Sequence, residues 1–301
     1  MSIARVSDAQ TFALVTERVG KLQVSLRNLQ DQIGSGKRFF SPDEDPLGAA
    51  QIVRLSSSIG AIGEYSSSAK FGTDVLGAED SALGEGEQIL VRAQEIATQQ
   101  ASGTLSASDR TAAREEVHGL LQGLTTVANS ELAGRRLFGG LALDAPEPFA
   151  SPDSAGYDPA TAYSGSTQEF YVKTGESTTD RVRITTQGDT VFTGSLQALS
   201  DLEQALATNG NVTGTLSNLE AGRSTIDAER ASVGAREAEL IGRGKQLTSR
   251  SQDELSQRSR VQDSDIIGAI SQLTQTQLAL QALVTAAGQI AQTNLATLLR
   301  V

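Results

Sequence analysis

The sequence predicts a mainly α protein: a long-helix bundle with paired N- and C-terminal coiled-coil helices and a small β-rich insert. Near both ends of the 301-residue chain, apolar residues recur at steps of three and four. Aromatic residues make up 4% of the chain and Cys and Trp are absent, so the core is built from small and aliphatic side chains. A proline-rich segment and a stretch of alternating β-branched residues interrupt the helical pattern in the middle.

The N-terminal helix is predicted from an uninterrupted apolar stripe with the spacing of a coiled-coil seam. The stripe consists of Phe12, Val15, Val19, Leu22, Leu26, Leu29 and Ile33. Gly34 follows it at a position where helix ends favour glycine, so we expect the helix to end there.

The segment "IGSGKRFFSPDEDP" resembles part of a phosphate-binding loop. That loop requires an earlier glycine, a hydroxyl after the lysine and a preceding strand, and here Asp31 and Arg38 stand at the two positions. We therefore expect no nucleotide site. Asp43, Glu44 and Asp45 are predicted to lie in a turn, and the next helix is predicted to start at Pro46 or just after it.

Further helices are predicted in the middle of the chain. One runs from residue 46 to about 101, and another opens with Ser108 or Asp109 as its N-cap. The stretches "QEFYVKT" and "DRVRITTQGDTVFTG" alternate and are interpreted as strands. Helix is expected again at about Leu196 and from about Thr213.

The C-terminal helix is predicted from a second apolar stripe. It consists of Ile266, Ile270, Leu273, Leu280, Val284, Ala287, Ala291 and Leu298. No charged residue lies between Ile266 and Leu299, so we expect protein to cover this helix on more than one side. Together, the two stripes are interpreted as an assembly seam.

This layout predicts three domains. Residues 1–40 and 261–301 form a terminal coiled-coil assembly domain, residues 41–143 and 211–260 a helical domain, and residues 144–210 a small β-rich outer domain.

The inventory of reactive residues argues against catalysis. The net charge of −11 disfavours nucleic acid and anionic membranes as partners. The single histidine, His118, has no accompanying nucleophile and is interpreted as a surface histidine. We therefore expect a non-enzyme without metal or cofactor. The first ten residues contain no apolar signal region, so any export is expected to proceed without a cleaved signal peptide.

Several motifs, in order, resemble the flagellin family. They are "IGSGKRFFSPDEDPLGAA", "VANSELAGRRLFGG", "VGAREAEL", "SRVQDSD" and a charge-poor helix closing on "LLR". The resemblance covers residues 1–143 and 215–301 and leaves the β insert outside it. Glu44 stands where many members have Asp. The closing "LLR" is nearer to filament flagellins, whereas Asp45 with Pro46 and the small insert resemble the members that join the hook to the filament.

The resemblance implies a structural subunit of the bacterial flagellum that joins hook to filament by self-assembly through its terminal helices. It implies a hinge at Gly34, Gly36, Pro42 and Pro46, where the glycines let the chain leave the helix and the prolines stiffen the crossing. The implied partners are copies of itself, a hook-associated protein on the hook side, flagellin on the filament side and an export chaperone. The implied location is outside the cell, reached through the flagellar secretion channel. A filament flagellin and a non-flagellar helical binding module are the alternatives.

Overall fold

The structure is a computed structural model that describes residues 2–101, 106–141 and 147–298. Six α-helices and four short strands, joined by turns and loops, are present in these residues. The helices are α1 (Ser2–Ser35), α2 (Pro46–Gln100), α3 (Ala107–Ala128), α4 (Gly188–Thr208), α5 (Thr213–Gln262) and α6 (Ile266–Leu298). The strands are β1 (Glu131–Leu132), β2 (Arg135–Arg136), β3 (Tyr171–Lys173) and β4 (Arg181–Arg183). The predicted mainly α fold class is confirmed.

The chain divides into two compact units. The terminal unit contains residues 1–60 and 251–301, and the central unit contains residues 61–250. In the terminal unit, α1 packs against α6, which confirms the predicted pairing of the terminal helices. The finer division into three domains remains a prediction.

The central unit holds the main hydrophobic core. Helix α2 contributes one residue every seven positions, including Leu76, Leu83 and Leu90, all fully buried. The rings of Phe138, Phe149 and Phe192 form an edge-to-face cluster at the centre of this core. Phe192 lies 4.8 Å from the Phe138 ring and 6.1 Å from the Phe149 ring, measured between centroids.

The strands form two separate two-stranded antiparallel sheets. The hairpin of β1 and β2 pairs Glu131 with Arg136. The pair of β3 and β4 aligns Val172 with Val182, and both side chains are buried. The predicted strands "YVK" and "RVR" are thus present, but they are only three residues long.

Helix α4 replaces the second half of a predicted strand. We expected "TTQGDTVFTG" to continue as strand and helix to return at about Leu196, whereas α4 begins at Gly188. Its buried residues recur at helical spacing against the core: Val191, Phe192, Ser195, Leu196, Leu199, Leu202 and Leu206. Tertiary burial of this face outweighs the β propensity of Thr, Val and Phe.

Helix α3 begins two residues before its predicted start. Ser106 is the N-cap, where we expected Ser108 or Asp109. The Ser106 hydroxyl accepts a hydrogen bond from the Asp109 backbone N–H, and the Asp109 carboxylate accepts one from the Ser106 N–H, which completes a capping box. Asp109 therefore serves as the third helical residue of the box rather than as the cap itself.

Asn129 fixes the segment that crosses the end of α3. Its side chain donates to the Phe149 carbonyl and accepts from the Phe149 N–H, both at 2.9 Å, in a buried site. Asn129→Ala leaves both backbone groups unpaired, so we expect the free energy of unfolding to fall by about 2 kcal/mol. Chemical denaturation of the full chain measures this loss. Asn218→Ala, at an exposed position of α5, serves as the control and should change the stability by less than about 0.5 kcal/mol; equal losses in both variants would contradict the role of Asn129.

Candidate assembly surface

The less exposed face of α1 coincides with its predicted stripe. Leu29 is buried, and the other described members are half-buried: Val15, Val19, Leu22, Leu26 and Ile33. The side chain of Phe12 lies outside the described residues. Since α1 packs on α6, we infer that this face forms the contact between the two helices.

The predicted stripe of α6 is divided between two faces. Its less exposed line runs at alternating steps of four and three through Ala269, Leu273, Thr276, Leu280, Leu283 and Ala287. Leu273, Leu280 and Ala287 belong to both lines. In contrast, Ile266, Ile270 and Val284 are exposed, and the side chains of Ala291 and Leu298 lie outside the described residues.

Large apolar side chains cover the outside of the terminal unit. On α6, Ile267 is 84% exposed and Leu278 is 60% exposed, and Val24 of α1 is exposed as well. At the start of α2, Leu47 and Val53 are also exposed. Among the described residues of this unit, Leu29 and Ala269 are the only apolar side chains that are buried. The pair of helices thus presents an apolar surface that its own fold does not cover, the kind of surface that marks an interaction site.

The linker after α1 contains the predicted hinge residues. Gly34 lies inside α1, so the expectation that it ends the helix is wrong. Helix α1 ends at Ser35, and Gly36 adopts a left-handed conformation with φ of 69°, which glycine accommodates without steric cost. Pro42 lies in a turn, in which the Glu44 N–H donates to the Ser41 carbonyl, and Pro46 is the first residue of α2, as predicted.

A short antiparallel bridge joins this linker to the junction of α5 and α6. The Arg38 N–H donates to the Gln262 carbonyl at 2.7 Å, and the Ser264 N–H donates to the Gly36 carbonyl at 2.8 Å. The sequence pointed to the first linker alone, because a pairing between residues more than 220 positions apart leaves no local pattern.

Asp45 and Asp265 cap the helices that follow the two linkers. Asp45 accepts from the Gly48 N–H at 2.9 Å, and Asp265 accepts from the Gly268 N–H at 3.1 Å. The hydrogen bond from Gly48, with a further contribution from the Arg38 guanidinium, lowers the pKa of the Asp45 carboxyl below its usual value. The acidic turn therefore has a structural role at Asp45, which pairs with Arg38 at 2.6 Å.

His118 joins three segments of the central unit. Its Nε2 lies 3.0 Å from Asp153 Oδ1, and its Nδ1 lies 3.2 Å from Glu203 Oε1 on α4, at ion-pair distance but without hydrogen-bond alignment. Partial burial opposes a charge on the ring, but the contacts with Glu203 and Asp153 outweigh burial and raise the pKa of His118 above 6.5. These ion-pair contacts connect α3 to α4 and to the segment that contains Asp153.

The single histidine makes its titration directly observable. Because the folded pKa is raised, the stabilisation is fully present below pH 6.5 and is lost as the pH rises through the folded value. We expect the histidine NMR signal of the full chain to titrate above pH 6.5, and to move toward 6.5 in Glu203→Gln. Asp201→Asn removes one negative charge from the same helix and serves as the control; it should leave the histidine titration close to that of the wild type. A wild-type midpoint at or below 6.5 would contradict the contact.

Sequence reasoning missed a buried carboxyl in the central unit. Glu79 is fully buried on α2. One of its oxygens accepts a hydrogen bond from the Thr186 N–H at 3.3 Å, and the other lies at hydrogen-bond distance, 2.8 Å, from the Thr186 hydroxyl. Burial raises the pKa of Glu79 to about 7, despite these hydrogen bonds and the nearby charge of Arg236. Its signal in the sequence is the position between Leu76 and Leu83, a core position of the α2 heptads that a charged residue rarely occupies.

The described residues contain no group of three His, Cys, Asp or Glu side chains arranged to hold a metal ion. No described helix combines the length and the apolar character that crossing a membrane requires.

The N-terminal part of the chain is similar to a known protein family. Residues 8–142 match the family described as the bacterial flagellin N-terminal helical region. The resemblance predicted from the sequence motifs is therefore confirmed for this part of the chain, which includes α1, the linker, α2 and α3.

Particular relatives agree with this class. Over 142 residues the chain is 29% identical to flagellar hook-associated protein 3 of Salmonella typhimurium, which covers 47% of this chain and 45% of the relative. Over 128 residues it is 29% identical to phase 1 flagellin of Salmonella naestved, covering 42% of this chain and 25% of that protein. The chain thus spans less than half the length of these curated relatives. The flagellar junction protein FlgL from Legionella pneumophila shares the fold, with a TM-score of 0.53 at 14% identity over 72% of this chain and all of that one.

Proposed function

We propose that the chain is a structural subunit of the bacterial flagellum that joins hook to filament. The observation that carries the proposal is the uncovered apolar surface of the α1–α6 pair, in a chain whose N-terminal part matches the bacterial flagellin N-terminal helical region. Contacts with neighbouring copies would remove these side chains from water. Burial of one large aliphatic side chain contributes about 1.5 to 3 kcal/mol, so the exposed positions together supply a driving force for assembly.

The assembly seam is proposed to combine two faces of the terminal helices. Leu26 and Leu29 on α1, with Leu273 and Leu280 on α6, hold the pair together. The exposed positions Ile266, Ile270, Leu278 and Val284 then contact the next copy. The linker at Gly34, Gly36, Pro42 and Pro46 is proposed as the hinge of this arrangement. The hydrogen bond from the Ser264 N–H to the Gly36 carbonyl connects this linker to the junction of α5 and α6, which we include in the hinge.

The proposed partners follow from the names of the relatives. Copies of this chain form a ring, a hook-associated protein lies on the hook side and flagellin on the filament side. Export through the flagellar channel with the help of a chaperone, and the lack of enzymatic activity, belong to the same proposal. The chain contains no cysteine, so no disulfide has to form or be broken during export.

A filament flagellin is the second candidate, because a flagellin matches the chain over nearly as many residues. The match to hook-associated protein 3 favours the junction, since it extends over 45% of that protein against 25% of the flagellin. Purified protein separates the two under salting-out conditions: a flagellin forms long filaments alone, whereas a junction subunit stops at short oligomers.

Electron microscopy of cells that lack this chain tests the proposal. We expect intact hooks without filaments, and flagellin released into the medium. Re-expression of the chain should restore the filaments. Normal filaments in the deletion strain would overturn the proposal.

A further inference from the structure

A cluster of four side chains connects the crossing between β4 and α4 to helices α2 and α5. This Thr186 cluster consists of Glu79, Thr186, Glu229 and Arg236. Thr186 lies in the crossing, Glu79 on α2, and the other two on α5. All four belong to the central unit and lie far along the chain from the proposed assembly seam.

The Thr186 hydroxyl has three polar neighbours. Its Oγ1 lies 2.8 Å from Glu79 Oε2, 3.1 Å from Glu229 Oε1 and 3.2 Å from Arg236 Nη2. A hydroxyl has one hydrogen to donate and two lone pairs that accept. The guanidinium can only donate, so the single hydroxyl hydrogen faces two carboxyl oxygens. If both carboxyls were ionised, one of these contacts would bring two acceptors together without a hydrogen.

One additional proton satisfies every contact of the cluster. If Glu79 is protonated, its O–H donates to Thr186 Oγ1, and the Thr186 hydroxyl donates to Glu229 Oε1. Glu229 Oε1 also accepts from Arg236 Nη2 at 2.6 Å, so this carboxyl group has a guanidinium as a direct partner. The other Glu79 oxygen accepts from the Thr186 N–H.

Glu79, rather than Glu229, is the group that holds the proton. The Glu79 side chain is fully buried, and among the described residues its two hydrogen bonds are both with Thr186. A buried carboxylate without a directly paired cation is strongly disfavoured. Glu229 has the guanidinium at contact distance and is partly exposed.

None of the other charged groups around the site, within the described part of the chain, forms a direct ion pair with Glu79. Arg135 on β2 interacts with Glu79 electrostatically, but its guanidinium stacks on Phe170 at 4.7 Å. Arg183 on β4 pairs with Glu169 at 2.9 Å. Arg236 donates to the Thr185 carbonyl at 3.2 Å as well as to Glu229.

We propose that Glu79 is a neutral carboxylic acid in the folded chain, and that loss of its proton breaks the hydrogen bonds that hold the β4–α4 crossing to α2 and α5. The crossing carries Gln187 and the start of α4, so its release loosens the attachment of the β-containing segment to the helices. The central unit is then held more tightly under mildly acidic conditions than under mildly alkaline ones.

Unfolding of the full chain, measured from pH 5 to pH 8, tests the proposal. With a folded pKa of about 7 against 4.5 for an ordinary glutamate, the wild-type unfolding equilibrium should shift toward the unfolded state by roughly 100-fold more than that of Glu79→Gln. The amide of Glu79→Gln is neutral at every pH and can still donate to Thr186. Glu85→Gln, an exposed position on the same helix, should keep the wild-type dependence. Equal pH dependence of wild type and Glu79→Gln would overturn the proposal.

Infrared difference spectroscopy provides a second readout that does not need the variant to fold. The wild-type chain at pH 6 should show the carbonyl band of a buried protonated carboxyl, which disappears as the pH is raised to 9. Glu85→Gln should retain the band, and Glu79→Gln should lack it. Absence of the band from the folded wild-type chain at pH 6 would overturn the proposal.

Discussion

Replacing Leu278 by aspartate is expected to abolish assembly while the free chain stays folded. Leu278 is 60% exposed on α6, so the carboxylate remains in water in the isolated chain. In the proposed polymer the same position is covered by a neighbouring copy, and burial of an unpaired carboxylate costs several kcal/mol. A loss of about 3 kcal/mol per contact weakens the association more than 100-fold.

Motility of a deletion strain that expresses the variant measures the effect, together with circular dichroism of the purified chain. Ser81→Asp adds the same charge at an exposed position of α2 in the central unit and should restore swimming. Leu26→Asp, on the half-buried face of α1, is expected to fail as well and in addition to weaken the α1–α6 pair. Normal swimming with Leu278→Asp would show that this face is not an assembly surface.

Phe192→Ala is expected to cause the largest loss of stability in the central unit. The ring is fully buried and contacts the rings of Phe138 and Phe149. Truncation of a buried phenylalanine leaves a cavity and costs about 3 to 5 kcal/mol, a large part of the stability of an ordinary domain.

Chemical denaturation, followed by circular dichroism, measures the change in the free energy of unfolding. Phe40→Ala is the matched control, because this ring is half-exposed in the linker after α1. We expect the control to lose less than about 1 kcal/mol. If Phe192→Ala also lost less than about 1 kcal/mol, the aromatic cluster would not stabilise the core as argued.

The position of α1 and the side that faces α6 could be predicted from the sequence. The charged residues on the opposite side of the helix leave only one orientation for the apolar stripe. Arg18, Lys21 and Arg27 lie off the stripe and are exposed, so one orientation satisfies both water and the partner helix. Helix α6 lacks charged residues, and its apolar face is wide. More than one rotation therefore fits the sequence, and three members of the predicted stripe, Ile266, Ile270 and Val284, are exposed.

Other features depend on long-range contacts that local patterns do not contain. The stretch around Phe192 has the composition of a strand, and it becomes helix because its 3.6-residue period buries Val191, Leu196 and Leu199. Glu79 occupies a core position of a heptad, which the sequence could have flagged. Its partner Thr186 is 107 residues away and becomes apparent only in the folded chain.

The most direct test of the proposed assembly surface uses the absence of cysteine in the chain. Leu278→Cys introduces a single thiol on the outer face of α6, and Ser81→Cys provides a matched thiol on α2. Maleimide labelling rates are measured on the free chain and on the chain incorporated into purified flagella. We predict that both thiols are labelled fast in the free chain. After assembly, the labelling rate at position 278 should fall at least about tenfold, whereas the rate at position 81 should stay the same. Equally fast labelling of position 278 in assembled flagella would contradict assembly through the terminal helices.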